Sequence, residues 1–148
     1  MNISYIKLDS LSDIQMLEGI IDLHQKIFNG SDNLSNQLKS KQCLFTVVAL
    51  SDSEVIGYKI GYALDEKTFY SWVGGVDANY RNYGIASKLM EKQHEYLKER
   101  GYKNVQTKTK NKWRNMLILN IKNGFDVIGT YTDTSGEPKV ILEKKLIL

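Results

Sequence analysis

The spacing of apolar and polar residues predicts a chain built from alternating strands and helices. Apolar residues at every second position indicate strands, and apolar residues at every third or fourth position indicate helices. Strands are expected at residues 3–8, 43–50, 54–64, 68–76, 103–110, 125–133 and 139–146, and helices at residues 14–28, 33–41, 84–100 and 113–123. The predicted order of elements is therefore β-α-α-β-β-β-α-β-α-β-β.

The connections between these elements predict how the strands pair. Short polar turns at residues 51–53 and 65–67 join three consecutive strands, which favours an antiparallel meander. The long helix at residues 84–100 instead separates two strands, and a strand–helix–strand unit joins parallel strands. We therefore predict a single α/β (mixed α+β) domain over residues 1–148, with a mostly antiparallel sheet of six to seven strands and helices on both faces.

The junction between the fourth strand and the long helix is the first candidate site. The first N–H groups of a helix have no partner inside the helix, and the helix dipole adds positive potential there. Gly84 and Ala86 are small enough to let an anion approach this backbone closely. We therefore predict a cradle for a pyrophosphate, formed by Arg81 and by the backbone of Asn82, Tyr83, Gly84, Ile85, Ala86 and Ser87.

Two segments resemble motifs of one known family. Arg81-x-x-Gly84-x-Ala86, after a strand that ends in Val76, resembles the acetyl-CoA-binding signature of the GCN5-related N-acetyltransferase (GNAT) superfamily. The strand before it and the helix after it make the match more specific than six residues alone. Residues 111–125 resemble a second motif of the family, in the version Met-Leu-x-x-Asn-x-x-x-Gly-Phe. The resemblance implies that the two strands flanking the long helix separate at one end, where the pantetheine arm of acetyl-CoA enters.

The resemblance also suggests groups that contact the thioester. Gly74 and Gly75 can form a bulge whose free backbone groups, with those of Val76, pair with pantetheine, or they can simply permit close packing. Many family members have a tyrosine where this chain has Asn120. An asparagine amide can donate a hydrogen bond to the leaving thiolate but cannot transfer a proton to it. The equally open alternative is that Asn120 has only a structural role inside the helix, with its amide hydrogen-bonded to nearby groups.

A general base is harder to assign. Some relatives use a glutamate in the central strand, but residues 68–73 contain no carboxylate. The alternatives are Tyr70, Ser71 and Tyr131, any of which could hold a proton-carrying water molecule, while Asp77 is expected to shape the loop. His24 and His94 lie in helical patterns, and packing roles are expected for them.

Composition limits the remaining function classes. The net charge of +3 is mild, and the basic run at residues 103–114 is more often a solvated face than a nucleic-acid site. The single cysteine, Cys43, starts an apolar run and is expected to be a buried structural thiol in a reducing compartment. No ligand cluster for a metal and no signal or membrane-spanning segment is evident, so a cytoplasmic protein without a metal is expected.

The resemblance therefore implies an enzyme that moves the acetyl group of acetyl-CoA to a primary amine by direct attack in a ternary complex. The expected partners are acetyl-CoA and an amine acceptor, which could be a protein N-terminus, a lysine or a small amine. A membrane or nucleic-acid partner is not expected, and assembly as a homodimer stays open. A non-catalytic domain that binds or senses acyl-CoA is the alternative, because the strand carboxylate and the tyrosine are missing.

Overall fold

The structure is a computed structural model that describes residues 2–29 and 33–146. Its strands are β1 Ile3–Leu8, β2 Phe45–Ser51, β3 Glu54–Ala63, β4 Thr68–Val76, β5 Asn104–Lys110, β6 Asp126–Thr132 and β7 Pro138–Lys145. Its helices are α1 Ile14–Phe28, α2 Leu34–Lys39, α3 Ile85–Glu99 and α4 Arg114–Lys122, with a single 3₁₀ turn at Ala78–Tyr80. The predicted order of elements is confirmed.

All of the strands join one sheet in the order β1-β2-β3-β4-β5-β7-β6. Strands β2, β3 and β4 form the predicted antiparallel meander. The β4–β5 pair is parallel because α3 returns the chain to the same end of the sheet, and the other neighbouring strands are antiparallel. The sheet is therefore mixed and mostly antiparallel, as predicted.

Helices cover both faces of this sheet. On one face, α1 and α2 bury an apolar cluster against β2 and β3, made of Ile20, Leu23, Leu34, Leu38, Val48, Tyr58 and Ile60. On the other face, α3 packs through Ile85, Leu89, Met90 and Leu97, and α4 adds Leu117 and Leu119 to the same cluster. We call these the α1/α2 face and the α3/α4 face of the sheet.

The prediction for Cys43 is wrong. Its side chain is exposed, and β2 begins two residues later, at Phe45. Cys43 has a φ of 53°, a left-handed conformation that belongs to a turn rather than to a strand. The apolar run therefore enters the core only after this residue, and the thiol lies outside it.

Glycine at position 61 is required by the contact between β3 and β4. A Cβ built there would overlap the carbonyl oxygen of Tyr70 and the ring of Phe69. The backbone oxygen cannot move away without breaking the strand pairing. We expect Gly61→Ala to lower the free energy of unfolding by about 1–3 kcal/mol, measured by urea titration.

Gly129→Ala is the matched control for this substitution. Gly129 also lies in a strand, but a Cβ there would meet Ile141 Cδ1 at 3.7 Å, which is ordinary van der Waals contact. Equal stability of the two variants would contradict the packing assigned to Gly61.

Candidate functional site

The parallel strands β4 and β5 separate half-way along their length. They pair from Thr68 with Asn104 to Ser71 with Thr107, and the Thr107 hydroxyl donates to the Ser71 carbonyl at 3.0 Å. Beyond that point β4 continues only with β3, and β5 continues only with β7. A gap therefore opens between residues 72–76 and residues 108–110, as the family resemblance implies.

The bulge in β4 lies at Trp72 and not at the two glycines. Ile60 pairs with Val73 and Gly61 pairs with Ser71, so Trp72 is an extra residue where the gap begins. A bulge increases local twist and bends the strand, which suits the divergence of β4 from β5. The sequence placed this irregularity two residues too late.

Gly74 and Gly75 instead pair regularly with Lys59 and Tyr58 of β3. A Cβ at Gly75 would come within 2.6 Å of Ile27 Cδ1 in α1, and a Cβ at Gly74 would come within 3.0 Å of the Tyr58 carbonyl oxygen. Close packing therefore explains the glycine pair. The backbone of these residues and of Val76 still forms one side of the gap.

Asp77 fixes the loop that follows β4. Its buried carboxylate accepts from the backbone N–H of Asn79 at 2.9 Å and from Lys26 Nζ at 3.2 Å. The hydrogen bond from Asn79, followed by the one from Lys26, lowers the pKa of Asp77. Its own N–H donates to the Ile56 carbonyl oxygen at 2.8 Å. The carboxylate therefore shapes the loop, which is the role expected for it.

The loop ends in an open helix N-terminus. Asn82 has a φ of 68° and Gly84 a φ of 73°, and Gly84 is the N-cap of α3 without a capping side chain. The first turn of α3 contains no acidic residue. Within residues 2–29 and 33–146, no group accepts a hydrogen bond from the N–H groups of residues 82–87. These donors are therefore free to bind an anion.

The surroundings of the loop leave room for such an anion. Arg81, Asn82, Tyr83, Gly84 and Ser87 are exposed, and a Cβ at Gly84 would meet no atom within 4 Å. Ile85 is buried, so only its backbone faces the loop, and Ala86 is half-buried. The structure therefore brings the predicted cradle residues together at the end of β4 that borders the gap.

Two polar residues, Gln93 and His94, lie on the buried side of α3. Gln93 is fully buried, and both polar atoms of its amide lack a partner among the described residues. His94 Nδ1 lies 3.2 Å from Lys144 Nζ, so the ammonium donates and the proton of the imidazole sits on Nε2. That buried Nε2–H has no acceptor in the part of the chain that the structure describes.

Burial, with nearby positive charge, controls the titration of these groups. Burial, followed by the ammonium groups of Lys144, Lys59 and Lys98, lowers the pKa of His94 to about 3. Burial also lowers the pKa of Lys59 to about 8. Lys59 lies in β3 opposite Gly74, one strand away from the gap. The histidine is therefore neutral at physiological pH and serves in packing against Phe125, in agreement with the expected role.

Aromatic rings line the opposite side of the gap, on the α1/α2 face. Tyr62 contacts Tyr70 and Trp72 with ring centroids 5.5 Å and 5.8 Å apart, and Trp72 also packs against the α1/α2 cluster. Burial, followed by the phenols of Tyr62 and Tyr131, raises the pKa of Tyr70 to about 12. Tyr70 is therefore a neutral phenol near pH 7, a hydrogen-bond donor rather than a base.

Asn120 and Tyr131 do not lie together. Asn120 is the buried residue of α4, which packs on the α3/α4 face, and its backbone carbonyl accepts from Asn123 and Phe125. Tyr131 lies in β6, is 37 % exposed, and shares the Lys108 ammonium with Tyr70 on the α1/α2 face. The helix that carries Asn120 and the side chain of Tyr131 therefore lie on opposite faces of the sheet.

A model of the acetyltransferase (GNAT) family matches residues 14–116. The chain belongs to this family. No protein of curated function matches the sequence at a significant level. The match covers the cradle and the first residues of α4, so the resemblance at Arg81, Gly84 and Ala86 is part of a longer agreement.

Several solved structures share the fold. An acetyltransferase from Elizabethkingia anophelis with acetyl-CoA bound is 20 % identical, with a TM-score of 0.73 over 97 % of this chain and 98 % of that one. The aminoglycoside 6'-N-acetyltransferase from Enterococcus faecium is 13 % identical, with a TM-score of 0.81 over 100 % and 98 %. Ard1 from Thermoplasma volcanium is 13 % identical, with a TM-score of 0.82 over 97 % and 99 %.

Two other kinds of feature are absent from the described residues. None of the helices in this part of the chain is both long and apolar enough to span a membrane. No group of three or more histidine, cysteine, aspartate or glutamate residues is arranged to hold a metal ion there.

The low pKa of His94 predicts sensitivity to acid. In the unfolded chain the imidazole takes a proton near its ordinary pKa of 6.5, whereas in the folded chain it does so only near 3. The stability that the neutral imidazole of His94 contributes is therefore fully present above about pH 6.5 and is lost as the pH falls below it. We expect His94→Leu to reduce the difference in unfolding free energy between about pH 7.5 and about pH 5, measured by urea titration.

Gln93→Leu is the control, because it removes a neighbouring buried polar group that does not titrate. It should keep the pH dependence of the parent. If His94→Leu also kept it, the imidazole would not be the source of the acid sensitivity.

Proposed function

We propose that this protein transfers the acetyl group of acetyl-CoA to a primary amine by direct attack in a ternary complex. One observation carries the proposal: the unpaired edge of β4 at residues 72–76 leads directly into a helix N-terminus with free N–H groups. A thioester carrier with an extended arm and a diphosphate needs these two features side by side. The acetyl-CoA bound to the Elizabethkingia relative supports the same choice of cosubstrate.

The cofactor contacts follow from this arrangement. The diphosphate would accept hydrogen bonds from the N–H groups of residues 82–87 and would be near the Arg81 guanidinium. The pantetheine arm would pair with the free backbone edge of Gly74, Gly75 and Val76. On the buried side of α3, His94 Nε2–H and the amide of Gln93 have no hydrogen-bond partner among the described residues.

The reaction itself needs few protein groups. The amine nitrogen attacks the thioester carbonyl carbon, the C–S bond breaks, and the amine loses one proton. A backbone N–H at the edge of β4 would hold the carbonyl oxygen as negative charge builds up on it. A thiol has a pKa of about 8.5, so CoA can leave as the thiolate with a hydrogen bond from Asn120. Tyr131 stays a candidate for contact with the amine.

A non-catalytic domain that binds acyl-CoA is the second candidate function. The structure supplies no carboxylate in β4, and the high pKa of Tyr70 excludes the phenol as a base near neutral pH. Release of free CoA thiol in the presence of an amine panel separates the two functions. Tight binding of acetyl-CoA without thiol release from any amine would favour the non-catalytic domain.

The cradle is tested by a thermal-shift titration with acetyl-CoA. A ligand that binds only the folded state adds about 2.7 kcal/mol at a hundred times its Kd. We expect Arg81→Glu and Gly84→Val to lose most of this stabilisation, because one adds a repelling charge and the other obstructs the anion.

Each variant has a matched control. Gly101 has a φ of 85°, meets nothing within 4 Å, and follows the other end of α3, so Gly101→Val introduces the same strain outside the cradle. Lys103→Glu changes the net charge as Arg81→Glu does, at an exposed position. If the cradle variants responded to acetyl-CoA like these controls, the anion would bind elsewhere.

The role of Asn120 is tested by kinetics. A hydrogen bond to a charged acceptor is worth about 1.5–3 kcal/mol, so Asn120→Ala should lower kcat by about 10- to 100-fold. The thermal shift with acetyl-CoA should stay close to that of the parent. An unchanged kcat would mean that Asn120 has only a structural role in α4.

A further inference from the structure

Two lysines sit on the aromatic surface at the α1/α2 side of the gap. Lys41 Nζ lies 4.7 Å from the ring centroid of Tyr62 and 5.1 Å from that of Trp72. Lys108 Nζ lies 5.8 Å from the centroid of Tyr70 and 5.5 Å from that of Tyr131. We call the four rings and two lysines the aromatic wall. The ammonium groups of both lysines lie over the faces of these rings.

The wall continues towards α1 with the same chemistry. Lys110 Nζ lies 4.8 Å from the centroid of Trp113, and the Trp113 ring is 6.4 Å from that of Phe28 at the end of α1. Lys108 and Lys110 are two positions apart in β5, so both side chains project from the same face of the sheet. A third ammonium group therefore borders the gap on this side.

Carboxylates of β7 and of the turn that precedes it have partners other than these lysines. Glu143 lies in β7 opposite Gln106 and accepts from its amide at 3.4 Å. Asp133 accepts from the N–H groups of Ser135 and Glu137, and Glu137 pairs with Lys112 at 3.0 Å. Among residues 2–29 and 33–146, Lys41, Lys108 and Lys110 form no ion pair.

This arrangement discriminates between kinds of acceptor. A polyamine or an aminoglycoside carries several positive charges, which the ammonium groups of Lys41 and Lys108 on the aromatic wall would repel. A negative group on the acceptor would form charge-assisted hydrogen bonds with the ammonium groups of Lys41 and Lys108. The apolar part of the acceptor would lie on the rings.

We propose that the acceptor is a primary amine that carries a carboxylate or phosphate group within reach of Lys41 and Lys108. This inference rests on the proposed acetyl transfer and narrows its substrate class. It also offers an account of the missing base. Positive charges close to an ammonium ion favour its neutral form, so the field of the lysines would help the amine to lose its proton before attack.

The first experiment compares acceptors that differ only in charge. One series is a peptide whose free N-terminal alanine is followed by two aspartates, two asparagines or two arginines. The other is β-alanine, propylamine and a diaminopropane, which separates small acceptors from peptide ones. In whichever series the protein acetylates, we expect kcat/KM to be at least about tenfold higher for the anionic member than for the neutral member. The cationic member should have the lowest kcat/KM.

Charge reversal tests which residues set this preference. The double variant Lys41→Glu and Lys108→Glu should reverse the order of the series, while Lys103→Glu should leave it unchanged, because that lysine is exposed beyond the closed end of the gap. The thermal shift with acetyl-CoA should be the same in all variants. A parent that prefers the cationic acceptor, or a double variant with the parent's order, would overturn the proposal.

A binding measurement keeps this test independent of turnover. Calorimetric titration of the CoA-bound protein with the same probes gives their Kd without acetyl transfer. Anionic probes that bind more tightly, but are never acetylated, would support the anionic site and contradict the acetyltransferase function. Probes that are acetylated without regard to their charge would support the function and contradict the anionic acceptor.

Discussion

The end of pairing between β4 and β5 is the constraint on which the site depends. Residues 68–71 of β4 pair with residues 104–107 of β5. Beyond these residues the two strands separate, because β4 stays paired with β3 and β5 stays paired with β7. The extra residue at Trp72 adds the bend that this separation needs. An open strand edge inside a sheet is costly unless it is paired, so its backbone groups are natural partners for a ligand with amides of its own.

The chemical groups around the gap differ between its end at the loop after β4 and the two faces of the sheet. At one end, Asp77 fixes a turn that exposes the first N–H groups of α3. On the α3/α4 face, polar atoms of Gln93 and His94 are buried without partners in the part of the chain that the structure describes. On the α1/α2 face, tyrosine, tryptophan and lysine form the aromatic wall. The two faces therefore differ in character, as expected when a cofactor enters from one side and an acceptor from the other.

Sequence analysis predicted the elements well because each carries a local signal. The apolar run of β2, the apolar stripe of α3 and the glycines that end the helices are all signals within a few residues. The open N-terminus of α3 was predictable for the same reason, since its positions are consecutive along the chain. The family resemblance added the separation of the two strands, which no local pattern specifies.

Features that depend on contacts between distant residues were not predictable. The glycines at 74 and 75 suggested a bulge, but their small size serves the approach of Ile27 and the Tyr58 carbonyl. Cys43 belongs to an apolar run and yet precedes the strand in a left-handed turn. The aromatic wall joins residues from the α2–β2 connection, β3, β4, β5 and β6, and only the pairing of the sheet brings them together.

A crystal structure of the protein grown with acetyl-CoA tests the central claim most directly. The account predicts the diphosphate on the N–H groups of residues 82–87, the pantetheine arm between residues 72–76 and 108–110, and the acetyl group facing the aromatic wall. Acetyl-CoA bound at any other surface, with β4 and β5 separated by an empty gap, would contradict it.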